Sequence, residues 1–105
     1  MSEIQELQVK EMERCREWIE GALKVYDTHD FEDIVLGVLQ GQFNFWSAPD
    51  ACIVTEFLHY PKYRALNVFL TGGNLKTLMV MRKTIEKFGK ETGCKKLTGS
   101  GRKGW

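Results

Sequence analysis

Three extended apolar runs separated by two proline turns occupy Phe43 to Thr71, and this stretch restricts the fold more than any other part of the chain. FNFWSA is aromatic-rich and is closed by Pro49-Asp50. ACIVTEFLHY is dominated by β-branched and aromatic side chains until Pro61-Lys62, and YRALNVFLT follows at once. Proline locks φ at roughly −65° and so suits a tight turn, while β-branched and aromatic residues fit a pleated, half-buried surface. Connections this short leave no room for a crossover, so the runs are predicted to form an antiparallel meander.

On both sides of the meander the apolar period becomes helical. From Glu11 to Tyr26, the residues Met12, Cys15, Ile19, Ala22 and Tyr26 recur at spacings of three and four, with Trp18 and Leu23 beside them, which predicts an amphipathic helix. A polar break from Asp27 ends at Asp30, a good N-cap, and Phe31, Ile34, Val35, Val38 and Leu39 then share one side of a second helix that stops at Gly41. Downstream, Asn74 caps a third helix with Leu75, Leu78, Met79, Met81, Ile85 and Phe88 inward and Gly93 at its end. Cys94 to Thr98 suits a last short strand. Near the start, Leu7 and Val9 alternate with polar neighbours over Ile4 to Val9, which allows a short edge strand or a lead-in to the helix; the strand is the reading taken. The expected order is β, α, α, β, β, β, α, β in one α+β domain over residues 1–105, without internal repeat or long linker.

The 105 residues, 43% of them hydrophobic, suffice for one core and not for two. Fifteen Lys and Arg nearly cancel fourteen Asp and Glu, and a net charge of +1 supplies no global field toward nucleic acid or an anionic membrane, so neither is an expected partner. No apolar run approaches the roughly 20 residues of a bilayer span, and the opening MSEIQELQVKEMER lacks the continuous apolar stretch of a secretory signal, so a cytoplasmic location is expected. Cys15, Cys52 and Cys94 stand far apart with no CxxC pair, and they read as buried or free thiols rather than catalysts or metal ligands.

The passage from the third run through TGGN into a helix carries the strongest suggestion of a ligand. Adjacent glycines free backbone amides to face an anion and the helix start adds a favourable dipole, although the same pattern also serves as a plain tight connection. Neither the Gly-Lys-Ser/Thr of a nucleotide loop nor the full GxGxxG spacing is present, which disfavours ATP and NAD. The order of elements, with the phrases VTEFLHYPKYR, a following GG and a terminal GSGRKGW, resembles the GNAT acyl-CoA N-acyltransferases, in particular the short members common in bacteriophage genomes. In that resemblance EMERCREWIEGALKVY and DFEDIVLGVLQ are the two N-terminal helices, FNFWSAPDACIVTEFLHYPKYRALNVFL the meander and TGGNLKTLMVMRKTIEKFGKETGC the CoA loop and helix. It implies a three-layer fold, acetyl-CoA as cofactor, and transfer of the acetyl group to an unknown amine by direct attack. It also implies that the main chain of Val68, Phe69 and Leu70 pairs with pantetheine, and that the amides of Gly72, Gly73, Asn74 and Leu75 cradle the pyrophosphate with Lys76 adding charge.

Acyl transfer to an amine needs a group to accept the ammonium proton, and on the meander Glu56 and His59 are the candidates. Glu56 sits in an apolar run where burial would make it a better base; alternatively it faces solvent or pairs with Arg64 across the hairpin. His59, beside Tyr60-Pro61, also reads as a turn residue, and Tyr60 and Tyr63 as the rim of a core to which Trp18, Trp46 and Phe43 belong. Lys95, Lys96, Arg102 and Lys103 lie with Trp105 in a terminal segment that suits a phosphate-rich surface or a solvated tail, the latter being expected. The family continues with a further helix and two strands beyond the point where this sequence ends. A second expectation is therefore a non-catalytic virion-associated or protein-interaction module on the same scaffold, an open sheet edge being closed by another copy or a partner strand.

Overall fold

The computed structural model describes residues 1–99. Helices α1 (Glu3–Arg14), α2 (Arg16–Leu23) and α3 (Phe31–Leu39) precede strands β1 (Phe43–Ala48), β2 (Ala51–His59) and β3 (Arg64–Gly73), and α4 (Leu75–Glu91) leads to β4 (Cys94–Gly99). The α+β class and the meander are as the sequence predicts. The sheet is mixed, in the order β1-β2-β3-β4, with β1-β2 and β2-β3 antiparallel and β3-β4 parallel. No helix among the described residues is long and apolar enough to cross a membrane.

The expected strand at Ile4 to Val9 is instead part of α1. Ser2 caps it reciprocally: the Gln5 amide donates to Ser2 Oγ at 3.2 Å and the Ser2 amide donates to Gln5 Oε1 at 3.0 Å. Satisfying two otherwise orphaned donors in this way outweighs a brief alternation of apolar and polar residues. The predicted Glu11 to Tyr26 helix is likewise divided, because Cys15 leaves helical geometry with φ −92° and ψ 6° and its amide is shared between the Glu11 and Met12 carbonyls. Arg14 fixes the joint by donating to the Ala48 and Pro49 carbonyls at 2.9 and 3.1 Å, at the tip of the β1-β2 hairpin.

Helices cover both faces of the sheet. On one, Met12, Ile19, Leu23, Phe31 and Ile34 pack against Phe43, Val54 and Leu70. On the other, Leu78 and Ile85 of α4 pack against Ile53, Leu66 and Val68. Thr55 is fully buried on the α4 side, where its hydroxyl accepts from Asn44 Nδ2 and Trp46 Nε1 at 3.2 and 3.0 Å. A buried hydroxyl is tolerated there because it supplies an acceptor to two donors that would otherwise be stranded.

The TGG segment is packed from both sides. A Cβ on Gly72 would lie 2.5 Å from Trp18 Cβ, so the absence of a side chain lets α2 seat directly on β3. Gly73 has φ +104°, and a Cβ there would collide with the Asp50 carbonyl. The Asn74 amide donates to that same carbonyl at 2.8 Å, and Asn74 Oδ1 accepts from the Thr77 amide at 3.2 Å, which sets the start of α4. Because Gly72 faces backbone-proximal atoms of Trp18 that cannot swing away, Gly72→Ala is expected to destabilise the fold by about 1–3 kcal/mol in urea unfolding. A loss below about 0.5 kcal/mol would show that α2 does not rest on β3 as described.

Candidate functional site

Glu56 lies opposite Phe43 on β1 and opposite Asn67 on β3, and Asn67 lies opposite Thr98 on β4. The four residues form a row across the sheet on the face covered by α1 to α3. Asn67 is 4% exposed. Its Nδ2 donates to Glu56 Oε2 at 3.0 Å, and its Oδ1 accepts from Thr98 Oγ1 at 2.7 Å. A buried amide held at both ends fixes its partner firmly, so the Glu56 carboxylate is oriented while its second oxygen has no protein partner among the described residues. Glu56 itself is half-buried.

The pairing of Glu56 with Arg64 is not found. Arg64 stands opposite His59, and its guanidinium lies over the Phe57 ring at 4.7 Å. His59 ends β2 as an exposed residue, away from the Glu56 row, and the structure does not bring the two candidates together.

One residue along β3 the ladder breaks. Val54 pairs with Leu70 and Thr55 with Val68, so Phe69 is an extra residue without a partner on β2. Such a bulge bends the strand, disrupts the local hydrogen bonding and puts two successive side chains on one face. Phe69 and Leu70 accordingly both pack on the α1 to α3 side. Phe69 stacks on Phe43 with ring centroids 5.6 Å apart, His29 meets both rings edge-on, and the Tyr26 hydroxyl lies 3.5 Å from the Phe69 carbonyl. Among the described residues the parallel ladder to β4 reaches Val68, opposite Gly99. Thus Phe69 is the irregular residue of β3, with the paired Val68 and Leu70 on either side of it, next to the Glu56 row.

The loop side is less open than the sequence suggests. Gly72 and Gly73 are in register with Cys52 and Ala51, and the Asn74 amide is taken by Asp50. The amides of Leu75 and Lys76, in the first turn of α4, remain for an anion, and both residues are exposed.

His29, Tyr26, Asn67 and Thr98 were not singled out from the sequence. Only His29, in the polar Thr28-His29-Asp30 break, carries a local signal; the others join the site through strand register. A cleft of about 250 Å³ beside His29 is lined by Thr28, Asp33, Gly37, Gln42 and Phe43. Arg102, Lys103 and Trp105 lie outside the described residues.

No family model, curated protein or solved structure matches the chain at a significant level.

The thiols behave as the sequence predicts for buried groups. Cys15 and Cys52 are 0% and 2% exposed and belong to one core cluster, and burial, with Cys15 adjacent, pushes the Cys52 thiol up to about 12. Because burial disfavours the thiolate in the folded state, this group stabilises the fold at neutral pH and its contribution falls as pH rises above roughly 8.5. A neutral-pH titration with a disulfide reagent is expected to modify half-buried Cys94 alone in the native protein and Cys15 and Cys52 only in denaturant. Rapid native modification of all three would contradict the packing of the α1-α2 joint on β2.

Proposed function

We propose that this chain is a GNAT-like domain that uses acetyl-CoA to acylate an amine. The observation that carries the reading is the bulge at Phe69, set between the described part of the parallel β3-β4 ladder and the start of α4. A bulge leaves main-chain groups outside the regular ladder, and here it falls on Phe69, the middle one of the three residues that the resemblance assigns to pantetheine, with Val68 and Leu70 paired to β2 on either side of it. The order of two helical segments, meander, loop helix and parallel strand supports the same reading.

Acetyl-CoA, when bound, supplies an acetyl group activated as a thioester. Val68, Phe69 and Leu70 would hold the pantetheine arm through their main chain, and the amides of Leu75 and Lys76 with the Lys76 ammonium would hold the phosphates, the dipole of the 17-residue α4 adding to their attraction. Glu56 is the group that takes the proton from the incoming ammonium, since its carboxylate is oriented by Asn67 and retains an oxygen without a protein partner among the described residues. His29, in the wall formed with Phe43 and Phe69, is positioned to line the amine's approach. Glu56 therefore takes precedence over His59 as the base.

A protein-interaction role is the second reading, favoured by the outer edge of β1, which pairs with no strand among the described residues. FNFWSA carries no charged residue and no proline, the usual means of blunting an edge.

Isothermal titration of acetyl-CoA and of free CoA tests the first reading. Micromolar binding is expected, weakened about tenfold by Leu75→Glu, which sets a carboxylate against the phosphates at an exposed position. An acid in the first turn favours the helix, so loss of binding in this variant is not a folding defect. Absence of heat at millimolar ligand would overturn the acyl-CoA reading and leave the β1 edge as the functional surface.

A further inference from the structure

The near-neutral net charge conceals a strong segregation. Residues 1–60 carry twelve acidic and four basic side chains, whereas residues 61–105 carry two acidic and eleven basic ones. In the fold the first group forms the α1 to α3 layer with β1 and β2, and the described part of the second forms β3, α4 and β4. The protein is therefore electrically bipolar, and a charged partner meets a different sign on each side.

The basic side has a focus. At the tip of the β2-β3 hairpin, the Tyr60 amide donates to the Tyr63 carbonyl at 2.9 Å, and the two rings lie 5.1 Å apart. Tyr60 is 48% exposed. Lys62 sits within this turn, Arg64 starts β3, and β4 begins opposite Arg64 so that Lys95 and Lys96 arrive at the same end of the sheet. Lys96 Nζ stands 5.0 Å from the centroid of the Tyr63 ring. The carboxylates on the neighbouring α4, Glu86 and Glu91, are engaged by Arg82 and Lys87, and among the described residues no carboxylate pairs with Lys62, Lys95 or Lys96. Arg64 and Gly73 are the two ends of the ten-residue β3, roughly 30 Å apart along the strand, so this surface lies at the opposite end of the sheet from the start of α4.

We propose that the hairpin tip and the start of β4 bind single-stranded nucleic acid, with lysines on the phosphates and Tyr60 stacked on an unpaired base. Exposed aromatic rings interleaved with cations are the chemistry that single strands need, because every base offers a face for stacking and every nucleotide adds a negative charge. A duplex hides its base faces and leaves Tyr60 without a role. An acidic peptide would satisfy the lysines but offers no planar face to the ring. This proposal is independent of the acyl-CoA reading.

Fluorescence anisotropy with labelled twelve-nucleotide oligo-dT and an abasic oligomer of equal length tests it in the intact chain. Oligo-dT is expected to bind at low salt and to weaken as salt rises, with affinity for it falling roughly tenfold in Tyr60→Ala. Lys95→Glu with Lys96→Glu is expected to weaken binding further and flatten the salt dependence. Both changes are at exposed positions, and unchanged melting temperatures are expected to accompany them. Equal affinity for the abasic oligomer, no effect of Tyr60→Ala, or displacement of oligo-dT by polyglutamate of equal charge would overturn the proposal.

Discussion

β3 is the element on which everything else is built. It is paired along both edges, antiparallel with β2 and parallel with β4, and buried on both faces, by α2 on one side and α4 on the other. Its last residues do three things in sequence. Phe69 adds a residue that β2 does not match, Gly72 admits Trp18 and so lets α2 approach, and Gly73 turns the chain so that Asn74 can bond to Asp50 and cap α4. The irregularity, the close approach and the helix start follow one another within six residues, so the shape of this end of the molecule is set locally. Both glycines answer to close packing, and the Asn74 amide after them is taken by the Asp50 carbonyl.

The polar row through Glu56, Asn67 and Thr98 interrupts the apolar packing of the α1 to α3 face. Hydrophobic neighbours on either side would give a cheaper core, because a buried amide stabilises only when its donors and acceptors are met. Here they are met by the residues directly across from it on both neighbouring strands. The outcome is a carboxylate whose orientation is dictated by sheet register. Aromatic rings from Phe43, Phe69 and Tyr26, with His29 against them, form the apolar side of the same region.

Much of this architecture was legible in the sequence for identifiable reasons. Pro49 and Pro61 mark the two hairpins, Asp30 and Asn74 cap their helices through hydrogen bonds to the third residue on, and the β-branched and aromatic runs of β2 and β3 fit strands buried on both faces. The first helix was misread because Leu7 and Val9 give only a fragment of alternation, whereas Ser2 and Gln5, whose side chains decide the matter, lie outside that window. The Glu56–Arg64 pairing offered by the sequence fails on the register of the hairpin. A tip spanning Tyr60 to Tyr63 sets His59 against Arg64, and three residues further in it sets Glu56 against Asn67. The Phe69 bulge has no sequence signature, since a bulge that is not at glycine is specified by packing on both faces. Charge segregation was present in the sequence throughout and vanished only on summation into a net value.

Amide chemical shifts of the ¹⁵N-labelled protein, followed through a titration with acetyl-CoA, test the central claim that the irregular end of β3 is the binding edge. The account predicts that the largest shifts fall on Val68, Phe69 and Leu70 and on Leu75 and Lys76, with the β2-β3 hairpin tip unmoved. Shifts confined to the hairpin tip or to α1 and α2, or a spectrum that does not change at saturating ligand, would contradict it.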